Sequence, residues 1–155
     1  MGPLERSYVV RRQNRRNLNL LYDEPVEQSG YSDELLSSSI GGGFHMGLSE
    51  YPPYNAAVTV ELYSRFGEQH GYVLEGELVL TLEDEDITVR AGDSFSFPGQ
   101  ILHGLRNVSD ATARLIWVNS PVIISKNAAL DATVNEAPSR QPDADPDARR
   151  RKRTA

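Results

Sequence analysis

The most constraining feature of this chain is a series of short segments, between residues 57 and 118, in which apolar and polar residues alternate. In residues 57–63, Val and Leu alternate with Thr, Glu and Tyr, and in residues 78–83 three Leu alternate with Val, Thr and Glu. A period of two is typical of a strand with one buried face. Turn residues recur at roughly ten-residue spacing, and no convincing amphipathic helix separates the segments. The pattern predicts a closed or sandwiched antiparallel β fold.

Individual strands can be assigned from the alternation and the turns. We predict strands within residues 57–63, 78–82, 87–89, 95–97, 102–106 and 113–118. Residues 7–10 are predicted to form a short strand, and residues 44–48 a further one that the prolines of Tyr51-Pro-Pro-Tyr54 end, because proline cannot donate to a ladder. Residues 22–34 are rich in Asp, Glu, Pro, Ser and Gly and are predicted to be loop.

Composition limits the class of protein. A chain of 155 residues can form one domain with a proper core, and the absence of cysteine excludes disulfides and thiolate metal sites and fits a reducing compartment. The first residues lack the apolar run of a secretory signal, and no apolar segment approaches the roughly 18 residues needed to cross a bilayer. The sequence therefore predicts a cytoplasmic protein with no membrane partner.

The net charge of −6 is unevenly distributed. Ten of the 16 basic residues lie within residues 6–16 and 149–153, whereas all of the 22 acidic residues except Glu5 lie between these two clusters. Such a body repels nucleic acid, so any attraction to phosphate groups has to come from the two ends. A charge run on an unstructured end is more often simply solvated. Residues 131–155 contain almost no large apolar side chains and are expected to be disordered.

Three segments carry a resemblance to a known family. Gly71-Tyr-Val-Leu-Glu-Gly-Glu-Leu-Val-Leu80 is followed by Ala91-Gly-Asp-Ser-Phe-Ser-Phe-Pro98 and His103-Gly-Leu-Arg-Asn107. These segments resemble the core of the cupin superfamily, with Gly76 at the end of its first signature and the spacing of Gly92, Pro98, His103 and Asn107 matching its second. The resemblance implies an all-β fold, the cupin double-stranded β-helix (a jelly-roll-like antiparallel barrel), and a homodimer.

The resemblance also divides the chain. It implies a basic N-terminal strand or arm in residues 1–22, a barrel in residues 23–124 and a mostly disordered tail in residues 125–155. More narrowly, Tyr72-Val-Leu-Glu-Gly-Glu-Leu78 and Leu115-Ile-Trp-Val-Asn-Ser-Pro121 look like the C-terminal cupin sensor domain of XRE-type helix-turn-helix transcription regulators. The DNA-binding half of those regulators would lie before residue 7, so contact with nucleic acid is expected only through a missing or separate domain.

The resemblance places four residues around the deeper end of the barrel: Tyr63, Arg65, Gln69 and His103. Where the family has a metal-binding Glu this chain has Gln69, and where it has one or two His upstream this chain has Tyr63-Ser-Arg65. His103 is the one residue that matches a metal ligand of the family. A divalent metal such as Fe, Mn, Ni or Zn prefers imidazoles and carboxylates, whereas Arg65 repels a cation. No metal or other cofactor is therefore assigned, and a metal at His103 stays an alternative.

The same residues suit a small anionic metabolite. A guanidinium is a fixed fork of donors for carboxylate or phosphate, Gln69 can donate and accept, and His103 can donate or change its charge near neutral pH. The predicted function is small-molecule binding in a sensor-type domain of transcription regulation. The alternative is a cupin enzyme, an isomerase, lyase or dioxygenase, in which His103 is the catalytic acid or base and Arg65 anchors the substrate.

Structural roles remain open for each of these residues. Arg65 could pair with Glu68 or Glu61, and His103 could be a buried imidazole satisfied by backbone groups. His70 follows Gln69 directly, so on a regular strand it points the opposite way. His45 is not placed by the sequence, and Trp117 is expected in the core.

Overall fold

The computed structural model of the protein describes residues 2–23, 26, 30–55, 60–121 and 150–153. Two short helices lie near the N-terminus, α1 (Pro3–Tyr8) and α2 (Leu18–Tyr22), with a 3-10 turn at Arg12–Asn14 between them. Eleven strands are found within the described residues: β1 (Arg16–Asn17), β2 (Ser32–Leu35), β3 (His45–Tyr51), β4 (Val60–Tyr63), β5 (Glu68–Glu75), β6 (Glu77–Leu82), β7 (Glu85–Arg90), β8 (Ser94–Pro98), β9 (His103–Arg106), β10 (Ala113–Ser120) and β11 (Arg150–Arg153).

The strands form two antiparallel sheets with the hydrophobic core between them. The first sheet has the order β1-β2-β3-β10-β5-β8, and the second has the order β11-β4-β9-β6-β7. Strands that follow one another in the chain therefore often lie in different sheets, as β8 and β9 do, which is the jelly-roll arrangement. The predicted all-β antiparallel barrel is confirmed.

The core follows directly from the period of two. Along β10, the inward residues Ala113, Leu115 and Trp117 are buried while the residues between them are only partly covered. Their neighbours in the core include Val73 on β5 and Leu78 and Leu80 on β6. Burying a side chain of this size contributes about 1.5–3 kcal/mol relative to leaving it in water, so a few fully covered residues decide which face of each strand turns inward.

Two glycines make room for aromatic rings inside the first sheet. Trp117 is the direct cross-strand partner of Gly47 on β3 and of Gly71 on β5. A Cβ atom built at Gly47 would overlap the indole ring of Trp117, and one built at Gly71 would overlap the ring of Phe95. The absence of a side chain at Gly47 therefore fixes where the indole can lie.

The strand predictions hold where the alternation is regular. Each predicted strand from residue 78 to residue 118 matches an observed strand, β6 to β10, and residues 44–48 overlap β3, which ends at Tyr51 before the two prolines. Residues 57–59 of the first alternating segment lie outside the described part of the chain, and the rest of it matches β4. Local alternation is thus a reliable signal for strands with one face in the core.

The N-terminal prediction was wrong. Residues 7–10 were expected to form a strand, but Tyr8 is the last residue of α1 and Val9 caps that helix with extended backbone. Pro3 suits the first turn of a helix because its fixed φ fits there and its missing N–H is not needed. Val9 is 45% exposed, so this segment gains nothing from strand pairing that would override the local helix.

Part of the predicted loop in residues 22–34 is also a strand. Ser32–Leu35 forms β2, which pairs with β3 and, on its other side, with β1. Asp33 and Leu35 on β2 are both buried, and Leu18 at the start of α2 enters the same core. A polar composition concealed the strand because one of its two inward residues is an aspartate.

The expected disordered tail, residues 125–155, lies outside the described residues except for Arg150–Arg153. These four residues form β11, which pairs with the edge strand β4, and the mostly disordered tail stays a prediction. An edge strand offers unpaired backbone groups that a neighbouring segment can bond to regardless of its side chains. Within the described residues, no helix is long and apolar enough to cross a membrane.

Candidate functional site

The four residues predicted for the site lie on strands that border the barrel interior. Tyr63 on β4 is the direct cross-strand partner of His103 on β9, so their side chains leave the second sheet on the same face. Gln69 on β5 lies opposite Phe97 on β8 in the first sheet. The rings of Phe97 and His103 are 4.8 Å apart between centroids, which brings the two sheets together at this end of the barrel.

His103 is held in one tautomer. Its Nδ1 atom lies 2.7 Å from the backbone oxygen of Ile101. A carbonyl oxygen can only accept, so Nδ1 carries the proton and Nε2 is left with a lone pair in the neutral ring. Burial lowers the pKa of His103 to about 4, and the nearby charge of Arg65 acts in the same direction. The ring is therefore neutral at pH 7, which corrects the expectation that it changes charge near neutral pH.

Arg65 lies in the loop between β4 and β5, where its backbone N–H donates to the oxygen of Gly99 at 2.6 Å. Its guanidinium carbon lies 5.7 Å from the centroid of the Tyr63 ring, close enough for a cation–π contact. The charge of Arg65 also lowers the pKa values of Asp33, Tyr51 and His103 relative to burial alone. The guanidinium therefore exerts its field on the barrel interior.

Among the described residues, no ion pair is formed by Arg65. The alternative that it pairs with Glu68 is not what the structure shows, because Glu68 contacts His70 at 2.8 Å on the outer face of β5. The other alternative, Glu61, involves a side chain outside the described ones. A half-buried guanidinium with no carboxylate partner among the described side chains is a suitable group to receive an anion.

A set of four hydrogen-bonded interior residues, which we call the polar cluster, was missed by the sequence: Asp33, Ser49, Tyr51 and Trp117. Oδ1 of Asp33 accepts from the Ser49 hydroxyl at 2.9 Å and from the Trp117 indole N–H at 3.0 Å. The indole N–H also lies 2.9 Å from the Ser49 oxygen. Asp33 is 6% exposed and Ser49 is 2% exposed, so the cluster is a built part of the interior.

Burial changes the acidity of the polar cluster. It raises the pKa of Asp33 to about 6, although the bonds from Ser49 and Trp117 and the charge of Arg65 oppose the rise. Burial also raises the pKa of Tyr51, and the charge of Asp33 adds to that effect. The pKa of Asp33 therefore lies closer to neutral pH than that of a free aspartate. Asp33 and Leu35 are two residues apart, which places both on the same face of a strand. Two residues are too few for the sequence alone to identify that strand.

Two further polar atoms of the interior have no partner. His45 on β3 and Gln69 on β5 are the two cross-strand partners of Asn119 on β10. Oδ1 of Asn119 and Nδ1 of His45 are buried and have no hydrogen bond among the described residues. Asn119 as a whole is 7% exposed. Since buried polar atoms in proteins are nearly always bonded, these atoms are available to a bound molecule.

The donor set does not fit a metal. Among the described residues, no three His, Cys, Asp or Glu side chains gather so that they could hold an ion. The permanent charge of Arg65 opposes a cation at the place where the family supplies imidazoles. Gln69 offers only a neutral amide oxygen. The one matching ligand, His103, is not sufficient to hold a divalent ion.

Two of the three arginines that line a cleft on the outer surface already face carboxylates. An open cleft of about 440 Å³ on the outer surface is lined by Arg12, Gln13, Arg15, Glu34, Glu50 and Arg114. Arg15 lies 3.5 Å from Glu34, and Arg114 lies 3.6 Å from Glu50. Cations that already face carboxylates attract phosphate groups weakly. This cleft is therefore a weaker anion site than the barrel interior.

Comparison with known proteins gives a match to one family and to curated relatives that include a regulator and a polyketide synthase. Residues 59–119 match the cupin domain family. The HTH-type transcriptional regulator PuuR of Escherichia coli (strain K12) is 38% identical over 63 residues, which are 41% of this chain and 34% of PuuR. The polyketide synthase CurC of Streptomyces cyaneus is 33% identical over 79 residues, 51% of this chain and 50% of CurC. The chain thus spans half or less of the length of these relatives.

A solved structure shares the fold. The iron(II) form of HppE, the hydroxypropylphosphonic acid epoxidase of S. wedmorenis, matches with a TM-score of 0.60 at 17% identity and covers 72% of this chain and 59% of that one. At this level of identity the similarity concerns the arrangement of strands. The relatives include both a regulator and enzymes.

Proposed function

We propose that the barrel of this chain, whose residues 59–119 match the cupin domain family, binds a small anionic metabolite and acts as a sensor-type domain. The observation that carries the proposal is the guanidinium of Arg65. It acts electrostatically on three interior residues and has no ion pair among the described residues. A ligand carboxylate or phosphate would supply the missing partner.

A bound anion would offset the free-energy cost of holding the Arg65 guanidinium partly away from water. A charged group removed from water without a partner is costly, and a charge-assisted hydrogen bond contributes about 1.5–3 kcal/mol. A carboxylate can accept two parallel bonds from a guanidinium. Tyr63 supports this geometry, because its ring lies 5.7 Å from the Arg65 guanidinium carbon and restricts the side chain. Gln69 and His103 then contribute an amide and a neutral ring nitrogen to the rest of the ligand.

The sensor role rests on the sequence similarity to PuuR over 63 residues. In this proposal ligand binding changes the state of a transcription regulator, and contact with DNA is made by a separate domain. The body of the chain is acidic overall, which disfavours direct binding of a polyanion. The cytoplasmic location expected from the sequence stays a prediction.

We also propose that the protein forms a homodimer through the outer face of the first sheet. Cross-strand neighbours on this face include Ile116 and Tyr72 in one row and Met46 and Val118 in the next. Met46, Tyr72 and Leu74 are 40%, 45% and 43% exposed. An exposed apolar sheet face is a common place for a second copy to bind. Sedimentation should show a dimer that Tyr72→Glu dissociates, whereas a wild-type monomer at micromolar concentration would contradict it.

The alternative function is an enzyme, and the tautomer of His103 favours it. With Nδ1 bonded to Ile101, Nε2 is free to accept a proton from a substrate that Arg65 orients. A pKa of about 4 makes this ring a weak base, but keeps it in the unprotonated form at pH 7. An enzyme of isomerase or lyase type would need only these groups. A dioxygenase would need a divalent metal, which the donor set does not fit.

The direct test is thermal unfolding with a panel of small carboxylates and phosphates. Ligand at a hundred times its dissociation constant stabilises the folded state by about 2.7 kcal/mol, which is several degrees in Tm for a domain of this size. Arg65→Ala should abolish the shift. Arg90→Ala is the matched control, because Arg90 is exposed on β7 and paired with Glu77 at 3.4 Å. Equal shifts in both variants would contradict the proposal.

Metal analysis distinguishes a metal-dependent enzyme from the proposed sensor domain. Protein purified without chelator should contain no stoichiometric Fe, Mn, Ni or Zn. A stoichiometric metal that His103→Ala removes would replace the sensor proposal by a metalloenzyme. Turnover of a substrate that is lost in His103→Asn, with binding retained, would instead favour a metal-independent enzyme.

A further inference from the structure

The barrel interior carries a carboxyl group as well as a guanidinium. Asp33 is 6% exposed, and its Oδ1 atom is occupied by the Ser49 hydroxyl and the Trp117 indole. Its other oxygen, Oδ2, makes no hydrogen bond within the described part of the chain. Two bonds to Oδ1 fix the carboxyl plane, so Oδ2 has a defined position from which it can accept a bond.

Asp33 and Arg65 interact through space but are not paired. The charge of Arg65 lowers the pKa of Asp33 relative to burial alone, yet no ion pair joins the two residues. Two opposite charges that influence each other without forming an ion pair can each pair with the opposite charge of one guest. A purely anionic guest at Arg65 would meet the repulsion of Asp33, and a purely cationic guest at Asp33 would meet that of Arg65.

Two further interior atoms of the described residues can accept a hydrogen bond. Asn119 is 7% exposed, and its Oδ1 atom is buried without a partner. His103 presents Nε2 with a lone pair because Nδ1 is bonded to Ile101. A guest therefore has to bring hydrogen-bond donors as well as a negative group. An ammonium group supplies hydrogen-bond donors and also a positive charge that can pair with the carboxylate of Asp33.

From these contacts we infer that the ligand is a small zwitterion, with its anionic group at Arg65 and its ammonium group at Asp33. This inference rests on the proposed function, because it adds a second charged contact to the same site. The polar cluster then has a role beyond stability: it holds the carboxyl of Asp33 ready for the ammonium group. A ligand of no net charge also leaves the interior neutral when bound, which limits the cost of burying charges.

Calorimetric titration with matched probes tests the inference. The probes are amino acids, including ω-amino acids with one to five methylene groups, together with the carboxylic acid and the amine that lack one of the two charges. For at least one chain length the wild-type protein should bind the zwitterion at least about tenfold more tightly than the matched acid. The matched amine should bind more weakly than either.

Asp33→Asn isolates the second contact. The amide keeps an oxygen for Ser49 and Trp117 but removes the charge, so the zwitterion should fall to within about twofold of the matched acid. Glu34→Gln is the control, because Glu34 follows Asp33 on β2, pairs with Arg15 on the outer surface and should leave the ratio unchanged. Arg65→Gln should weaken both probes by tenfold or more.

A measurement on the wild-type protein covers the case in which Asp33→Asn does not fold. Trp117 is the one tryptophan of the chain, and its N–H bonds to Asp33, so its emission should shift with the zwitterion and not with the matched amine. Acids that bind as tightly as the zwitterions, with no effect of Asp33→Asn, would overturn the zwitterion and leave the anion site. No binding by any acid or zwitterion would overturn both.

Discussion

Two groups of interior side chains in the same barrel differ in how completely they are satisfied. The apolar core, represented by Val73, Leu78 and Leu115, is at most 2% exposed and contacts other apolar residues. The polar cluster around Asp33 is buried almost as deeply, but it holds a carboxyl of raised pKa beside a guanidinium that lacks an ion pair among the described residues. The first group contributes stability, and the second retains unused binding capacity.

Strand β10 runs through both groups. Its inward residues Ala113 and Leu115 belong to the apolar core. Further along the strand, Trp117 bonds to Asp33, and the side-chain oxygen of Asn119 has no hydrogen bond among the described residues. Buried polar atoms cost free energy unless they are bonded. The comparison therefore predicts that substitutions in the apolar core change stability and leave ligand affinity unchanged, while substitutions at the charged residues change affinity most.

The largest effect is expected for Leu115→Ala. Removing a fully buried leucine side chain costs about 2–5 kcal/mol, the spread depending on how far the cavity collapses. Urea unfolding should show this loss, and the affinity of the folded protein for its ligand should stay within about twofold. Ile116→Ala, on the outer face of the same strand, is the control and should cost less. A large affinity change in Leu115→Ala would contradict the prediction that the apolar core affects stability and not ligand affinity.

The next prediction concerns how the free energy of unfolding depends on pH, because the pKa values of Asp33 and His103 are shifted in opposite directions. The pKa of Asp33 is raised by burial from 3.8 to about 6, so its stabilising contribution is complete below pH 3.8 and is lost as pH rises through about 6. The pKa of His103 is lowered by burial from 6.5 to about 4, so its contribution is complete above pH 6.5 and is lost as pH falls through about 4. Each amounts to about 3 kcal/mol, and in the wild type they nearly cancel.

Replacing either Asp33 or His103 should reveal how the other residue alone makes the free energy of unfolding change with pH. Between pH 4 and pH 6.5, the free energy of unfolding of Asp33→Asn should rise with pH, and that of His103→Asn should fall with pH. The charged groups that act on Asp33 are Arg65, which lowers its pKa, and Glu34 on β2, which raises it. Denaturant unfolding at several pH values measures both slopes. Parallel pH profiles for the two variants would contradict the assigned shifts.

A smaller effect is expected at the boundary between the two groups. A methyl group at Gly47 would overlap the indole of Trp117, and overpacking of this kind costs about 1–3 kcal/mol. Gly47→Ala should also change the emission of Trp117, because the ring can no longer bond to Asp33 and Ser49 in the same place. Gly43→Ala is the control, since its Cβ would meet nothing within 4 Å. Unchanged emission in Gly47→Ala would show that the indole position is not fixed by this glycine.

The fold could largely be predicted from the sequence, and the reasons are local. Strands β6 to β10 have regular alternation and glycine or proline turns, which depend only on neighbouring residues. The exceptions have non-local causes. β2 was taken for loop because Asp33 does not count as an apolar residue, but its pairing with β1 and β3 makes it a strand. Residues 7–10 were taken for a strand, but among the described residues they pair with no strand.

The candidate site could be predicted only in part. Tyr63, Arg65, Gln69 and His103 were placed by the family resemblance, and their roles as ligand contacts remain predictions. The polar cluster could not be found this way, because it depends on a bond between Trp117 and Asp33, which are 84 residues apart in the chain. Such contacts depend on the order of the strands in the sheets. No local pattern in the sequence indicates that order.

The most direct measurement is a Trp117 fluorescence titration of the wild-type protein and of Arg65→Gln with the same small carboxylates and amino acids. The account predicts saturable binding by the wild type and at least about tenfold weaker binding by the variant, with Arg90→Gln equal to the wild type. Equal affinities in the wild type and Arg65→Gln would contradict it, because the guanidinium would then not be the group that receives the anion.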